Sequence, residues 1–124
     1  MGCTCSCGKE GETRILYACA GAANTGYLAD QVARKLSREG MGDMSCLAGV
    51  GARLSGFIES AKAADRAIVI DGCSVACGKK AFEDNGIPLT HFMVTDFGVE
   101  KKKTEITQEV VDRVAGEIRR ALGA

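Results

Sequence analysis

Apolar positions along this chain fall into short continuous runs separated by longer stretches with helical spacing. Ala67-Ile68-Val69-Ile70 is the densest run and reads as a buried strand, broken at once by Asp71-Gly72. Arg14–Ala18 reads as an earlier strand, Met44–Ala48 as a weaker one, and Thr90–Val94 as a fourth. After the first strand, Leu28, Val32 and Leu36 recur with Ala29 and Ala33 beside them, which predicts an amphipathic helix over Tyr27–Arg38 ended by Gly40. Asp30 and Arg34 stand four apart on its polar side and should pair. A second helix is expected over Arg53–Ala64, burying Leu54, Phe57, Ile58 and Ala61. A third follows the Asp71-Gly72 break and reaches Asp84 before Asn85-Gly86. The last helix should start after Thr107 as N-cap and bury Val110, Val111, Val114, Ile118, Ala121 and Leu122.

Strand then helix, four times over, predicts an α/β fold: a single-domain three-layer sandwich with a four-stranded, mostly parallel sheet and helices on both faces. A flavodoxin- or Rossmann-like strand order, 2-1-3-4, makes the first three strands neighbours about 4.8 Å apart. Residues 13–124 form that domain. Residues 1–12 are small, polar and glycine-bearing, and read as a flexible cysteine-rich tail.

Composition narrows the function classes. Lysine plus arginine (16) equals aspartate plus glutamate (16), so no overall field calls for nucleic acid or a membrane surface. No run approaches the ~20 apolar residues of a membrane span, and no secretory leader is apparent, so a cytoplasmic protein is expected. Seven cysteines in 124 residues exceed what packing requires. In a reducing compartment such a set points to metal or redox chemistry before disulfides.

The cysteines acquire meaning when laid over the topology. Cys19 ends the first strand, Cys46 lies in or at the end of the second, and Cys73 ends the third, with Cys77 one turn into the next helix. All four thiols are thereby expected at the carboxyl rim of the sheet, where open α/β sheets build their sites. Helix N-termini at Asn24 and Cys73 would favour thiolate, the form that binds metal or attacks electrophiles. Four thiolates suit a tetrahedral zinc site.

These stretches resemble the DGC-domain family: Cys19-Ala20-Gly21-Ala22-Ala23-Asn24-Thr25-Gly26, Cys46-Leu47-Ala48-Gly49-Val50-Gly51, the triplet Asp71-Gly72-Cys73 through Cys77, and Thr95-Asp96-Phe97-Gly98. The resemblance runs from Ile15 to about Lys101. It implies zinc held by Cys19, Cys46, Cys73 and Cys77, and it brings no reaction with it.

Other residues carry weaker readings. Cys3, Cys5 and Cys7 alternate on the tail, either as a second metal-binding arm or as adventitious thiols. Asp71 is either an acceptor behind the ligands or a turn cap, and Asp96 a turn cap. His91 is expected at the opposite edge of the sheet, away from the thiols. Lys101-Lys102-Lys103 reads as a solvated turn, while Lys79 or Lys80 could offset the charge of a four-thiolate site.

The functional expectation is a zinc-binding protein for metal storage or delivery, whose partner is the metal ion. An iron–sulfur cluster is the alternative load on the same thiolates. The rival reading is thiol redox or persulfide chemistry by Cys19 with the Cys73/Cys77 pair. Phosphatase-like chemistry is disfavoured, because Thr25 stands where a C-x5-R loop requires arginine.

Overall fold

The computed structural model describes residues 12–123. The expected tail, with Cys3, Cys5 and Cys7, lies outside the described residues apart from Glu12. Four parallel strands, β1 (Arg14–Ala18), β2 (Asp43–Met44), β3 (Arg66–Asp71) and β4 (Thr90–Met93), form one sheet in the order β2-β1-β3-β4. Five helices flank it: α1 (Asn24–Arg38), α2 (Leu47–Gly51), α3 (Ser55–Ala63), α4 (Cys77–Asp84) and α5 (Gln108–Ala121). A 3-10 turn, Val94–Phe97, follows β4.

Two apolar layers clamp the sheet. On one face Leu16, Ile68 and Ile70 pack against α1 (Leu28, Val32, Leu36) and α5 (Val111, Val114, Ile118). On the other, Tyr17 and Val69 pack with Phe82 of α4, Val50 of α2 and Ala61 of α3. The Tyr17 and Phe82 rings meet edge-to-face with centroids 4.8 Å apart. Because β3 is covered on both sides, it reads as an unbroken apolar run instead of an alternating one.

Helix ends follow local chemistry. Thr107 caps α5 by accepting from Val110 N, as its position predicts. The α1 helix ends in a Schellman turn: Gly40 is left-handed (φ 82), and Met41 N donates to Leu36 O at 3.0 Å. Gly86 and Ile87 repeat the device at the end of α4, with Ile87 N on Phe82 O.

Four expectations are corrected. The second strand is only Asp43–Met44; Ser45 N still bonds Leu16 O, and the chain then turns into α2, so Leu47 and Ala48 are helical. An edge strand has one neighbour to hold it, and here α2 packs on α3 so closely that a Cβ on Gly49 would stand 2.6 Å from the Phe57 ring. The following helix begins at Ser55, because Arg53 is left-handed (φ 63) and Leu54 is left exposed. The fourth helix starts at Cys77, not near Cys73, because Cys73–Ala76 form a turn closed by Ala76 N on Cys73 O. In the last helix Ala115, not Ala121, joins the buried stripe.

Candidate functional site

Every strand-to-helix connection on the carboxyl side of β1, β2 and β3 carries cysteine. Cys19 follows β1 directly, and its N–H extends the ladder to Ile70 O at 2.9 Å. Cys46 stands at the N-cap position of α2, without a side-chain cap hydrogen bond. Cys73 lies in the turn after β3, and Cys77 is the first residue of α4. All four are free thiols; Cys46 and Cys77 are exposed, Cys19 and Cys73 half-buried.

Within the rim they divide into two pairs. Cys19 and Cys46 line one open cleft of about 840 Å³, together with Met44, Leu47, Phe57, Asp30 and Arg34. The Asp30–Arg34 pair expected from sequence is formed, at 2.9 Å. Cys73 and Cys77 stand outside that cleft, at the two ends of the β3–α4 turn.

Close backbone approach explains the glycine of the Asp71-Gly72-Cys73 triplet. A Cβ on Gly72 would come within 2.8 Å of Gly26 N and of the Thr25 carbonyl carbon, so this turn lies flat against the start of α1. Gly26 is needed in its turn, since its Cβ would meet Gly21 N at 2.7 Å. Gly78 lets α4 settle onto β3, where a Cβ would stand 2.6 Å from Val69 Cγ1.

Asp71 is fully buried and both its oxygens are engaged. Oδ1 accepts from Gly78 N at 2.9 Å, Oδ2 from Lys79 N at 3.0 Å and from His91 Nε2 at 2.8 Å. Asp71 therefore caps α4 across the turn that holds Cys73, which is why the helix starts so late. The expectation that His91 lies apart from this region is corrected. It stands on edge strand β4, yet its ring crosses to Asp71, because parallel register sets His91 beside Val69, two residues before Asp71 on the same face. Asp96 is exposed in the 3-10 turn, which has no side-chain cap.

A family model described as the DGC domain matches residues 15–118. This chain belongs to the DGC-domain family. Among curated proteins, "Anaerobic and virulence modulator AnvM" of Pseudomonas aeruginosa is 30% identical to it over 92 residues, covering 73% of this chain and 70% of the relative. No solved structure matches.

In this DGC domain the donor chemistry suits a thiophilic ion: four free thiols at or beside helix starts on the carboxyl side of the sheet. Their geometry is open. Among the described residues no three His, Cys, Asp or Glu side chains lie together in a way that could hold a metal ion as they stand. No described helix is long and apolar enough to cross a membrane.

Sequence reasoning missed Lys101, whose Nζ donates to Cys73 Sγ at 3.5 Å. It lies 28 residues from Cys73 in a lysine run, and nothing local distinguishes it from its neighbours. His91 had a faint signal, the two-residue alternation that gives a strand one face per parity, but only the register says which residue it meets.

Proposed function

We propose that this protein binds a thiophilic metal ion, zinc first, through the thiolates of Cys19, Cys46, Cys73 and Cys77, for metal storage or delivery. One observation carries the reading: cysteines from three separate strand ends stand on a single rim with their sulfurs unpaired. None of the four lies within a strand: Cys19, Cys46 and Cys73 follow strand ends and Cys77 opens α4. Zinc would supply a charge centre that binds the three connections together, and an iron–sulfur cluster would use the same donors. Asp71 serves behind the ligands by fixing the first turn of α4, where Cys77 begins. A reducing cytoplasm is the compartment in which such thiols stay unpaired.

The test is elemental analysis of anaerobically purified protein, paired with a thiol count before and after chelation. Close to one zinc per chain with four thiols released supports the proposal. Metal-free protein with a reducible Cys73–Cys77 disulfide overturns it.

That second outcome belongs to a thiol-redox reading, favoured by the exposure of Cys46 and Cys77 and by the absence of a closed cluster among the described residues. Persulfide transfer is its simplest form: a thiolate takes the outer sulfur of a donor persulfide and releases the donor as a thiolate. The relative's name refers to anaerobic modulation, and a rim whose thiols answer to oxygen or metal is chemically suited to such a role in this chain.

A further inference from the structure

Among the described residues three large apolar side chains are exposed, Tyr27 at 54%, Leu54 at 51% and Val75 at 50%, and all three stand at the thiol end of the sheet. Tyr27 lies in the first turn of α1 and Val75 in the β3–α4 turn between Cys73 and Cys77. Leu54 precedes α3, the helix that returns the chain toward the start of β3. The close approach of Gly72 to Gly26 sets the Val75 turn against the first turn of α1. Five lysines flank these two connections. Lys79 and Lys80 lie in the first turn of α4; Lys101, Lys102 and Lys103 lie on a strap, residues 100–104, that reaches Cys73 through Lys101 Nζ, 3.5 Å from the sulfur. All five are exposed, and among the described residues none is in an ion pair. On α1 and α5, by contrast, Arg34, Lys35, Arg113 and Arg119 each meet a carboxylate. A chain with equal numbers of acidic and basic residues thus places a block of unpaired positive charge beside its thiols.

The lysine strap is held in shape. Glu100 N donates to Thr104 Oγ1 at 2.8 Å, and Thr104 N to Glu100 O at 3.1 Å. Asn24, the first residue of α1, clasps it with its whole amide: Nδ2 donates to Glu100 O at 3.1 Å and Thr104 O at 2.7 Å, and Oδ1 accepts from Lys102 N at 2.7 Å. Lys102 is left-handed at φ 70, a conformation few non-glycine residues adopt. Lysines that only needed water would gain nothing from this anchoring. A surface that meets a partner does gain, because a fixed backbone loses less freedom on binding.

We propose that this end of the molecule docks an acidic protein, with Tyr27 and Val75 as its apolar centre and the five lysines as the charged border that steers the partner in. Asn24 is the positioning residue of that border. An apolar centre with a charged border is the anatomy of a protein interface, and border charges act mainly on the rate of encounter. Lysine, a compact and strongly hydrated charge, suits such a border, whereas recognition of phosphate in nucleic acid favours the arginine fork, which none of the five supplies. The inference deepens the reading of the rim as a site of delivery, since it gives the protein that would exchange the load its surface chemistry.

The experiment follows binding of a fluorescein-labelled, glutamate-rich peptide carrying phenylalanine and leucine to the full chain, reduced and metal-free, by stopped-flow fluorescence. Lys102→Glu/Lys103→Glu should slow association about tenfold at low salt and leave dissociation nearly unchanged, and high salt should erase the difference. Arg38→Glu/Lys62→Glu makes the same change of net charge at helix ends on the opposite edge of the sheet and should associate as wild type does. Tyr27→Ala and Val75→Ala should instead speed dissociation about three- to tenfold. Asn24→Ala should slow association although every lysine is intact. Failure of the peptide to bind at low salt overturns the proposal, as does a control double as slow as the strap double. Equal binding of a glutamate–alanine peptide, or unchanged dissociation in Tyr27→Ala and Val75→Ala, overturns the apolar centre. A wild-type rate in Asn24→Ala overturns the role of Asn24. Preference for duplex DNA or phosphatidylserine vesicles over the peptide at the same salt overturns the protein partner in favour of a phosphate-bearing one. The protein is metal-free and the peptide has no thiol, so these outcomes are independent of whether the rim binds zinc.

Discussion

His91 Nε2 stands 2.8 Å from Asp71 Oδ2, and the same carboxylate takes the first free N–H groups of α4, so one buried side chain joins edge strand, central strand and helix. The side chain of Asp71 is 1% exposed and that of His91 20%. Loss of such an acceptor leaves two helix-start N–H groups and an imidazole without their partner.

Asp71→Ala should therefore destabilise the domain by about 1–3 kcal/mol, and His91→Ala by less, because the cap survives it. The two changes should not add, since they share one contact. Urea unfolding of both singles and the double measures this. An Asp71→Ala midpoint equal to wild type would remove Asp71 from the account of α4.

Gly72→Ala puts a methyl group against backbone atoms of Thr25 and Gly26 at 2.8 Å, and backbone yields less readily than a side chain. A cost of about 1–3 kcal/mol is expected, together with a changed Cys73 environment. Denaturation gives the first, and the alkylation rate of Cys73 the second. Gly51→Ala, whose Cβ would meet nothing within 4 Å, serves as control and should be near neutral.

Cys73→Ser should lower zinc content sharply, whereas Cys5→Ser on the tail should leave it near wild type. Elemental analysis of the two variants, purified side by side, decides it. Equal loss in both would mean that the rim is not the dominant metal site.

Burial raises the pKa of Tyr17 above its ordinary 10.0, and Ser45 beside the phenol only partly offsets this. The folded state then keeps a proton that the unfolded state has released, so the unfolded chain binds fewer protons and stability falls as pH rises. The contribution is complete below pH 10 and is lost as pH climbs from there through the raised value. Tyr17 Oη is buried without a hydrogen-bond partner of good geometry, so Tyr17→Phe should be neutral or slightly stabilising at pH 7. It should also flatten the alkaline loss, seen in unfolding midpoints on either side of pH 10. A steep loss retained in Tyr17→Phe would point to other groups.

The elements that were legible in the chain are those whose signal is local. Leu28, Val32 and Leu36 repeat at helical spacing, Thr107 precedes an amphipathic stretch, Gly40 and Gly86 close helices, and Ala67–Ile70 has no polar residue to turn outward. Those patterns, with the alternation of strand and helix, were enough for the α/β class and for placing Cys19, Cys46 and Cys73 after strands; the order β2-β1-β3-β4 matches the flavodoxin-like order expected by analogy. Tertiary structure alone decided where α4 begins, because its cap, Asp71, lies on β3 and acts across a four-residue turn. It also shortened β2, since an edge strand is held by one neighbour and α2 is held by Phe57 of α3. It alone joined His91 to Asp71 and Lys101 to Cys73, contacts spanning 20 and 28 residues. Periodicity reports which face of an element is apolar; which polar side chains then meet depends on register and on loop closure, and neither is written in the spacing of one segment.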